Sequence, residues 1–520
     1  MEDGEDESSS LIFIVCGVAI LYIALVKSER SHPNLRHITS SANQGYILSF
    51  LDALRALFQG PALVQKGYEK HRVNLFKLAT LQRWLVIVAG TQYIEELRKA
   101  SEDDLAPIDA ASQPDMSRYL LRHHTTPNMQ QESFLTRHIT QNLPFLTLDI
   151  KDELVAATTD SSVLSSASED WKEICGRDLV VPLTARVVDR IFFGRKFARN
   201  KRYSQLSLNS MIKGLDFKRA LFLAFLPTSF GNFLSWFSRS RQDEQQIQKI
   251  LTAYIREEKE NVSINDVNHK PRDVLFQVIH NVIVGGMTGV ESTLLSLNST
   301  AKHTLALAFG HILYDLATNS TDTGFMRQEI KDLVAREGWS KNALDKMYIA
   351  DSFIKESMRM NGIFTLPTIR KAVQPFTFSD GTTIPQNTFI AVPATARHYD
   401  DTLYPSAGTF DRLRFSSSHE KGVHHHCSTS RTGSVQYNLT TSTTEYLPWG
   451  IGQHACPGRF FAAIVLKTML AHVVLHYEVK FEDRKRPPNI IVDMNCFPDL
   501  EAKIFIKRSK GEGNGGIGRT

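Results

Sequence analysis

A single cysteine in a glycine-rich loop, directly before a long apolar helical pattern, constrains this chain more than any other stretch. The loop reads PWGIGQHACPG over residues 448–458, and RFFAAIVLKTMLAHVVLH follows it. Cys456 would lie beside the first turn of a helix, where backbone N–H groups and the helix dipole stabilise a thiolate. Gly450, Gly452 and Gly458 let the backbone approach a planar group. The pattern favours a thiolate ligand to a flat metal cofactor; a buried cysteine in a glycine turn is the alternative.

The other cysteines do not form a framework around Cys456. Five cysteines are scattered over 520 residues, at positions 16, 175, 427, 456 and 496. An odd, scattered set argues against structural disulfides and for a reducing compartment. The net charge of +5 is small for this length and gives no sign of nucleic-acid binding.

The N-terminus contains an uncharged apolar run, LIFIVCGVAILYIALV, at residues 11–26. With the preceding serines it is long enough to cross a thin bilayer such as that of the endoplasmic reticulum. Acidic residues precede it and Lys27, Arg30 and Arg36 follow it, so the bulk of the chain should face the cytosol. A cleaved signal peptide is the alternative, but it would begin with a basic region and end at small residues. The sequence predicts a lumenal tail at 1–10 and a transmembrane anchor at 11–26.

The remainder reads as one mainly helical domain with a smaller β-rich part. A polar hinge (27–44) leads into residues 45–507, and a flexible tail (508–520) follows. Residues 294–317 are nearly all apolar, as in a buried central helix, and 341–360 are amphipathic with a helical period. Residues 376–392 alternate in polarity around Asp380 and Gly381, which predicts a hairpin, and YEVKFED and EAKIFIKRS near the end predict strands.

A polar stretch at residues 416–444 reads as a surface loop within this domain. It contains three consecutive histidines followed by Cys427. A zinc site there is the weaker interpretation, because adjacent residues rarely converge on one ion.

The cysteine loop resembles the haem-binding signature of the cytochromes P-450, Phe-x-x-Gly-x-x-x-Cys-x-Gly, with Trp449 in place of Phe. Two further family motifs occur in the expected order: KESMR supplies Glu356 and Arg359, and FDRLRF supplies Arg414. The likeness covers nearly the whole chain and is strongest to secondary-metabolism members from mushroom-forming fungi, the basidiomycete type. It implies the cytochrome P-450 fold and haem b, with Cys456 as the axial ligand of the iron.

The resemblance also implies a structural triad of Glu356, Arg359 and Arg414. Glu356 and Arg359 are three residues apart and share one helix face. A buried carboxylate between two guanidiniums can satisfy its lone pairs by bidentate hydrogen bonds. Such a triad would hold the loop that presents Cys456.

For the central helix, the resemblance places TAKHTL on the family's oxygen-activating kink. Thr304 then matches the proton-delivering threonine and His303 the acidic position; both are predicted catalytic residues. A threonine hydroxyl bonded within its own helix is the alternative for Thr304. Lys302 departs from the usual apolar residue, and we expect it to point away from the pocket or to pair with an acid.

Three cations are predicted to bind the haem propionates by the same resemblance: Arg370, His454 and Arg137. His138 is an alternative to Arg137, since the family's Trp-x-x-x-Arg is not found here. The indole N–H of Trp449 could lie near the sulfur and tune the iron. A simple packing exchange for Phe is equally compatible.

The function implied by the resemblance is that of a haem-thiolate monooxygenase on the endoplasmic reticulum membrane, oxidising an apolar small molecule with O2. Electrons would come from NADPH through an FAD- and FMN-containing cytochrome P-450 reductase, with cytochrome b5 as a further partner. Phe364, Leu366 and Phe497 are predicted to line the substrate pocket. Terpenoids or meroterpenoids are the expected substrates. A reductase-independent isomerase or dehydratase, and a non-catalytic haem-binding membrane protein, remain open because Trp449, Gln453 and Lys302 depart from the pattern.

Overall fold

The structure is a computed structural model, and it describes most of the predicted domain. The predicted anchor, most of the hinge, residues 417–437 of the polar loop and nearly all of the tail lie outside the described residues. Those described are 35, 37–40, 46–81, 83–108, 129–216, 239–261, 290–319, 323–416 and 438–509.

Helices form most of the described chain. In chain order they are α1 (Tyr46–Lys70), α2 (Thr91–Lys99), α3 (Met129–Asp160), α4 (Ser162–Ser165), α5 (Gly176–Ala198), α6 (Lys201–Gly214), α7 (Arg239–Asn261), α8 (Val290–Thr318), α9 (Thr323–Glu337), α10 (Lys341–Asp345), α11 (Tyr348–Met360), α12 (Ala394–His398) and α13 (Arg459–His476).

Helix α8 is the central helix that the sequence predicted. Every residue from 305 to 317 is buried, which the nearly continuous apolar sequence predicted. It packs against α5, α6, α11 and α13. A hydrogen bond of 2.6 Å from the Ser357 hydroxyl to the Asp315 carboxylate ties α11 to its C-terminal half. Burial raises the pKa of Asp315, while Arg486, which forms an ion pair with it, opposes that shift.

The amphipathic pattern at 341–360 forms two helices, α10 and α11, where the sequence indicated one helical stretch. A carboxylate from another helix explains the break. Glu329 of α9 accepts hydrogen bonds from the backbone N–H groups of Ile349 (2.8 Å) and Ala350 (3.2 Å). It thereby caps the first turn of α11, whose N–H groups have no acceptor within the helix.

The β-rich part forms as expected late in the chain, with help from three early strands. A five-stranded sheet has the order β1 (Leu75–Ala79), β2 (Trp84–Val88), β8 (Phe389–Val392), β5 (Thr368–Ala372) and β3 (Leu105–Pro107). Only β2 and β8 are parallel neighbours in it. The predicted hairpin is present as β6 (Phe376–Thr377) and β7 (Thr383–Ile384), with Gly381 at φ 86°.

The chain's end supplies two smaller sheets. β4 (Lys172–Cys175) and β9 (Tyr477–Lys480) flank β12 (Lys503–Arg508), and β10 (Ile490–Val492) pairs with β11 (Asn495–Phe497). The two C-terminal segments predicted as strands are therefore β9 and β12.

Within the described residues, α13 is the one helix long and apolar enough to cross a membrane. It is internal, follows Cys456 directly, and 72% of it is buried in the protein. Its apolar sequence is explained by packing against α3, α9 and α8.

Candidate active site

A cavity of about 350 Å³ lies where α8, α3 and the cysteine loop meet. This volume is within the usual range for small-molecule sites. Its walls come from α3, α8, the segment at 357–367 and the loop at 448–458 with the first turns of α13. Cys456 and Thr304 both line it, and apolar side chains such as Leu305, Ala308 and Phe461 supply much of the remaining wall.

The cysteine loop is shaped by its glycines. Gly450 and Gly452 have φ angles of 73° and 75°, in the left-handed region that favours glycine. At Gly452 a Cβ would also lie 2.9 Å from the carbonyl oxygen of Arg98 in α2. The Cys456 N–H donates a hydrogen bond of 2.7 Å to the Trp449 carbonyl, which closes the loop just before α13.

The structure distinguishes between the two roles that the sequence left open for the Trp449 indole. Its indole Nε1–H donates a 2.7 Å hydrogen bond to the backbone carbonyl of Leu439. The side chain is nearly buried, at 9% exposure, within the main hydrophobic core. The indole proton is therefore directed to Leu439 and not to the sulfur.

Glu356, Arg359 and Arg414 come together in one largely buried cluster. Glu356 and Arg359 are completely buried, and the carboxylate oxygens lie 2.7 Å from Arg359 Nε and 2.8 Å from its Nη2. Arg414 Nε lies 3.1 Å from both oxygens, and the Asp411 N–H donates a further bond of 3.0 Å. The remaining guanidinium N–H groups bond to backbone carbonyls, including that of His398. The carboxylate thus joins α11 to the segment at 405–414.

Thr304 and His303 are neighbours in sequence but occupy different surroundings. Thr304 lines the cavity, and its hydroxyl donates to the Thr300 carbonyl at 2.9 Å, the bond within the helix that the sequence left as an alternative. His303 is buried and is not among the cavity-lining residues; its Nδ1 lies 2.8 Å from the Ser299 carbonyl oxygen. A Cβ on Gly214 of α6 would overlap its Nε2. Burial lowers the pKa of His303 to about 4, so its ring is neutral at physiological pH.

Lys302 pairs with an acid, one of the two outcomes expected from the sequence. Its Nζ lies 3.1 Å from Asp189 Oδ1 of α5 and 2.9 Å from the Ser207 hydroxyl of α6. Asp189 also accepts hydrogen bonds from Tyr203 (3.1 Å), Ser207 (2.7 Å) and Asn298 (3.0 Å). All members of this network are buried. It connects α5, α6 and α8, and none of its members lines the cavity.

Two of the three predicted cations lie near the cysteine loop. Arg370 is 6% exposed, and burial lowers the pKa of its guanidinium to about 10 while Glu102 opposes the shift. His454 lines the cavity, and its Nε2 lies 3.2 Å from a Glu102 carboxylate oxygen. Burial and the charge of Arg370 lower the pKa of His454. Arg137 is exposed on α3 and does not line the cavity, whereas Thr136 and Thr140 beside it do.

The predicted substrate residues divide between the cavity and the core. Phe364 lines the cavity. Leu366 packs instead between α1 and the five-stranded sheet, and Phe497 packs with Leu307 and Val492 in a separate cluster. The sequence indicated substrate contacts as far as Thr136 of α3 but missed Thr140, four residues later. The spacing of four, which places Thr136 and Thr140 on one helix face, was the available signal.

The residues at this cavity fit a haem group. A cysteine sulfur is a ligand that holds haem iron. A Cβ on Gly458 would lie 4.0 Å from that sulfur, so the neighbouring residue leaves space beside it. Arg370 is a buried cation with no carboxylate within ion-pair distance among the described residues. Such a cation is expensive to bury alone, and a haem propionate would compensate it.

Comparisons with known proteins agree with this geometry. The Cytochrome P450 family profile matches residues 51–504. The chain is 34% identical over 516 residues to "Cytochrome P450 monooxygenase 151" of Postia placenta, covering 96% of this chain and 99% of that protein. It is 28% identical to "Cytochrome P450 monooxygenase CYP512U6" of Ganoderma lucidum, covering 98% of each, and 27% identical to "Ent-kaurene oxidase P450-4" of Gibberella fujikuroi, covering 88% and 90%. The chain therefore belongs to the cytochrome P450 family, as a monooxygenase of the basidiomycete-type fungal group.

Proposed function

We propose that this protein transfers one oxygen atom of O2 to an apolar small molecule, using electrons that originate from NADPH. The observation that carries the proposal is the placement of Cys456 and Thr304 in the lining of one largely apolar cavity. A thiol ligand, a hydroxyl for proton transfer and an apolar compartment are the three features such a reaction needs from the chain. The different-class alternative, a haem-binding protein without catalysis, gains no support from a substrate-sized cavity.

Haem b, when bound, would supply the iron at which O2 is reduced and the substrate is oxidised. The chain's own residues would have distinct tasks around it. Cys456 would bind the metal through its sulfur. Arg370 and His454 would bind the propionate carboxylates. Arg137 is proposed for the same task from the family resemblance; it is exposed on α3 and does not line the cavity.

Thr304 would hold and move a proton toward the cavity. Its hydroxyl donates to the Thr300 carbonyl, and rotation about χ1 redirects that proton. One hydrogen bond of this kind contributes about 1 kcal/mol net, so the rotation is accessible. We assign proton delivery to Thr304 and not to His303, because the His303 ring is neutral and buried against α6.

The substrate class is proposed from the wall and from the relatives. Leu297, Ala301, Leu305 and Ala308 give α8 an apolar face toward the cavity, and Phe364 closes another side. The relative from Gibberella fujikuroi is named for the oxidation of ent-kaurene, a terpene. A terpenoid or meroterpenoid of fungal secondary metabolism fits both observations.

The cellular setting follows from the sequence. We propose that residues 11–26 anchor the protein in the endoplasmic reticulum membrane with residues 1–10 lumenal, 27–44 as hinge and 45–507 as the cytosolic catalytic domain. Electrons would then arrive from the membrane-bound NADPH–cytochrome P-450 reductase, which carries FAD and FMN, and from cytochrome b5.

The test is the carbon monoxide spectrum of the reduced protein, with the Cys456→Ser variant beside it. The parent should show the red-shifted band typical of thiolate ligation, and the serine variant should lose it. Retention of the band in the variant would mean that another residue binds the iron. Product formation from terpenoid candidates with NADPH and reductase then tests monooxygenation. Turnover that needs neither would favour an isomerase or dehydratase.

A further inference from the structure

Both backbone polar groups of Leu439 form hydrogen bonds with side chains. Its N–H donates a 2.9 Å hydrogen bond to Asp351 Oδ2, and its carbonyl accepts the 2.7 Å bond from the Trp449 indole. Leu439 is completely buried, although it falls within the stretch that the sequence predicted as a polar surface loop. The end of that stretch is therefore part of the core beside the cysteine loop.

Asp351 is itself fixed between two helices. It belongs to α11, and its Oδ1 lies 2.7 Å from the ammonium group of Lys467 in α13. Lys467 also donates a 2.9 Å hydrogen bond to the Leu344 carbonyl of α10. The side chains of this pair are 11% and 5% exposed, so water weakens it little.

Trp449 connects this anchor to the cysteine. Its side chain bonds to Leu439, and its backbone carbonyl accepts the 2.7 Å bond from the Cys456 N–H. A continuous series of contacts thus runs from Lys467 through Asp351, Leu439 and Trp449 to Cys456.

We propose that Trp449 is a positioning residue, whose indole N–H fixes the Cys456 loop to the Asp351–Lys467 pair and so sets the thiolate's position. The inference rests on the proposed function, because it assigns Cys456 to the iron. Trp449 acts through the loop backbone and not by touching the sulfur with its N–H.

Substitution of Trp449 by phenylalanine tests the role of the indole N–H. It keeps an aromatic ring in the core but removes the only polar atom of the indole, which leaves the buried Leu439 carbonyl without that donor. An unsatisfied buried carbonyl is unfavourable, and its backbone would move to find another donor or water. Because Leu439 and Cys456 are joined through the same residue, the motion reaches the ligand loop.

The experiment uses the full-length holoenzyme and compares the variants Trp449→Phe, Asp351→Asn and the double variant. Trp84→Phe is the matched control. It makes the same chemical change on β2, where Trp84 packs against hydrophobic clusters that are separate from the cluster containing Trp449. Two rates are measured: the rate of haem transfer to an excess of apomyoglobin, and the rate at which the thiolate-type carbon monoxide band decays under mild denaturant. The wavelength of that band in the native protein is recorded beside them, because a displaced thiolate should shift it and a loss of stability alone should not. None of these measurements depends on turnover.

We expect Trp449→Phe to raise both rates about two- to tenfold, the factor that corresponds to one net hydrogen bond. Trp84→Phe should leave both at the parent value. In the Asp351→Asn background the tryptophan substitution should have a smaller effect, because Leu439 has already lost part of its anchor.

Parent-like rates in Trp449→Phe would overturn the positioning role. If the effects of the two single substitutions on the rates multiply fully in the double variant, the two residues act independently, and the series of contacts through Leu439 is refuted. Absence of the thiolate-type band from the parent protein would instead refute the proposed function, so the two failures are distinguishable.

Discussion

Neutralising Glu356 by substitution with glutamine is the sharpest test of what the buried triad of Glu356, Arg359 and Arg414 contributes to stability and haem retention. Glu356 is fully buried, and its two oxygens accept hydrogen bonds from Arg359 and Arg414 at 2.7–3.1 Å. Glutamine retains one acceptor oxygen but directs an NH2 group toward guanidinium donors. It also leaves two cations with no negative partner in the cluster.

The magnitude follows from the burial. Removing one partner of a buried, hydrogen-bonded ion pair destabilises a protein by about 3–5 kcal/mol. Typical domains have only about 5–15 kcal/mol of stability. The variant should therefore unfold at distinctly lower urea concentration and retain less haem per chain, while the holoenzyme that survives should turn over with little change.

The matched control is Glu95→Gln in α2. Glu95 also has an arginine three residues later, Arg98, at 2.8 Å, but both side chains are about 40% exposed (39% and 41%). An exposed pair contributes less than about 1 kcal/mol, so this variant should match the parent in urea midpoint and haem content. Equal effects of the two substitutions would refute the reasoning from burial. Normal haem loading in Glu356→Gln with selective loss of turnover would show that the triad has another role.

Two further predictions concern proton delivery and the membrane. Thr304→Ala should leave haem content and the carbon monoxide spectrum unchanged but lower the ratio of product formed to NADPH oxidised, with hydrogen peroxide rising; a loss toward the lower end of ~10²–10⁴-fold is expected because water can replace part of the relay. An unchanged ratio would mean that another group delivers the proton. Deleting residues 1–26 should release part of the protein from microsomal membranes into the high-speed supernatant. A truncated protein that remains wholly in the pellet would show that another surface also holds it to the bilayer.

The sequence predicted those parts of the fold that depend on local pattern. The central helix α8, the hairpin around Gly381 and the strands β9 and β12 have patterns of apolar residues that specify one structure. The break between α10 and α11 was not predictable in this way. It depends on Glu329, a carboxylate 20 residues away that caps α11 from a different helix.

For the site, motifs predicted which residues meet but not how each side chain is oriented. Glu356 and Arg414 are 58 residues apart, and only the family resemblance indicated their contact. Adjacent residues on a helix point about 100° apart, which explains why Thr304 lines the cavity while His303 packs against α6. Leu366 and Phe497 were predicted to line the pocket but pack in core clusters, because hydrophobicity indicates burial and not which cluster a side chain joins.

The buried pair of Lys302 and Asp189 limits how this chain can change over generations. Either residue replaced alone leaves a buried charge without its partner, a loss of about 3–5 kcal/mol. Replacing both by apolar residues of similar volume is often neutral or stabilising, although the donors of Tyr203 and Asn298 would then need new acceptors. Descendants with an apolar residue at 302 should therefore carry a compensating change at 189. Relatives that differ at one position should differ at the other, and an alignment of the group would reveal the pair as covarying.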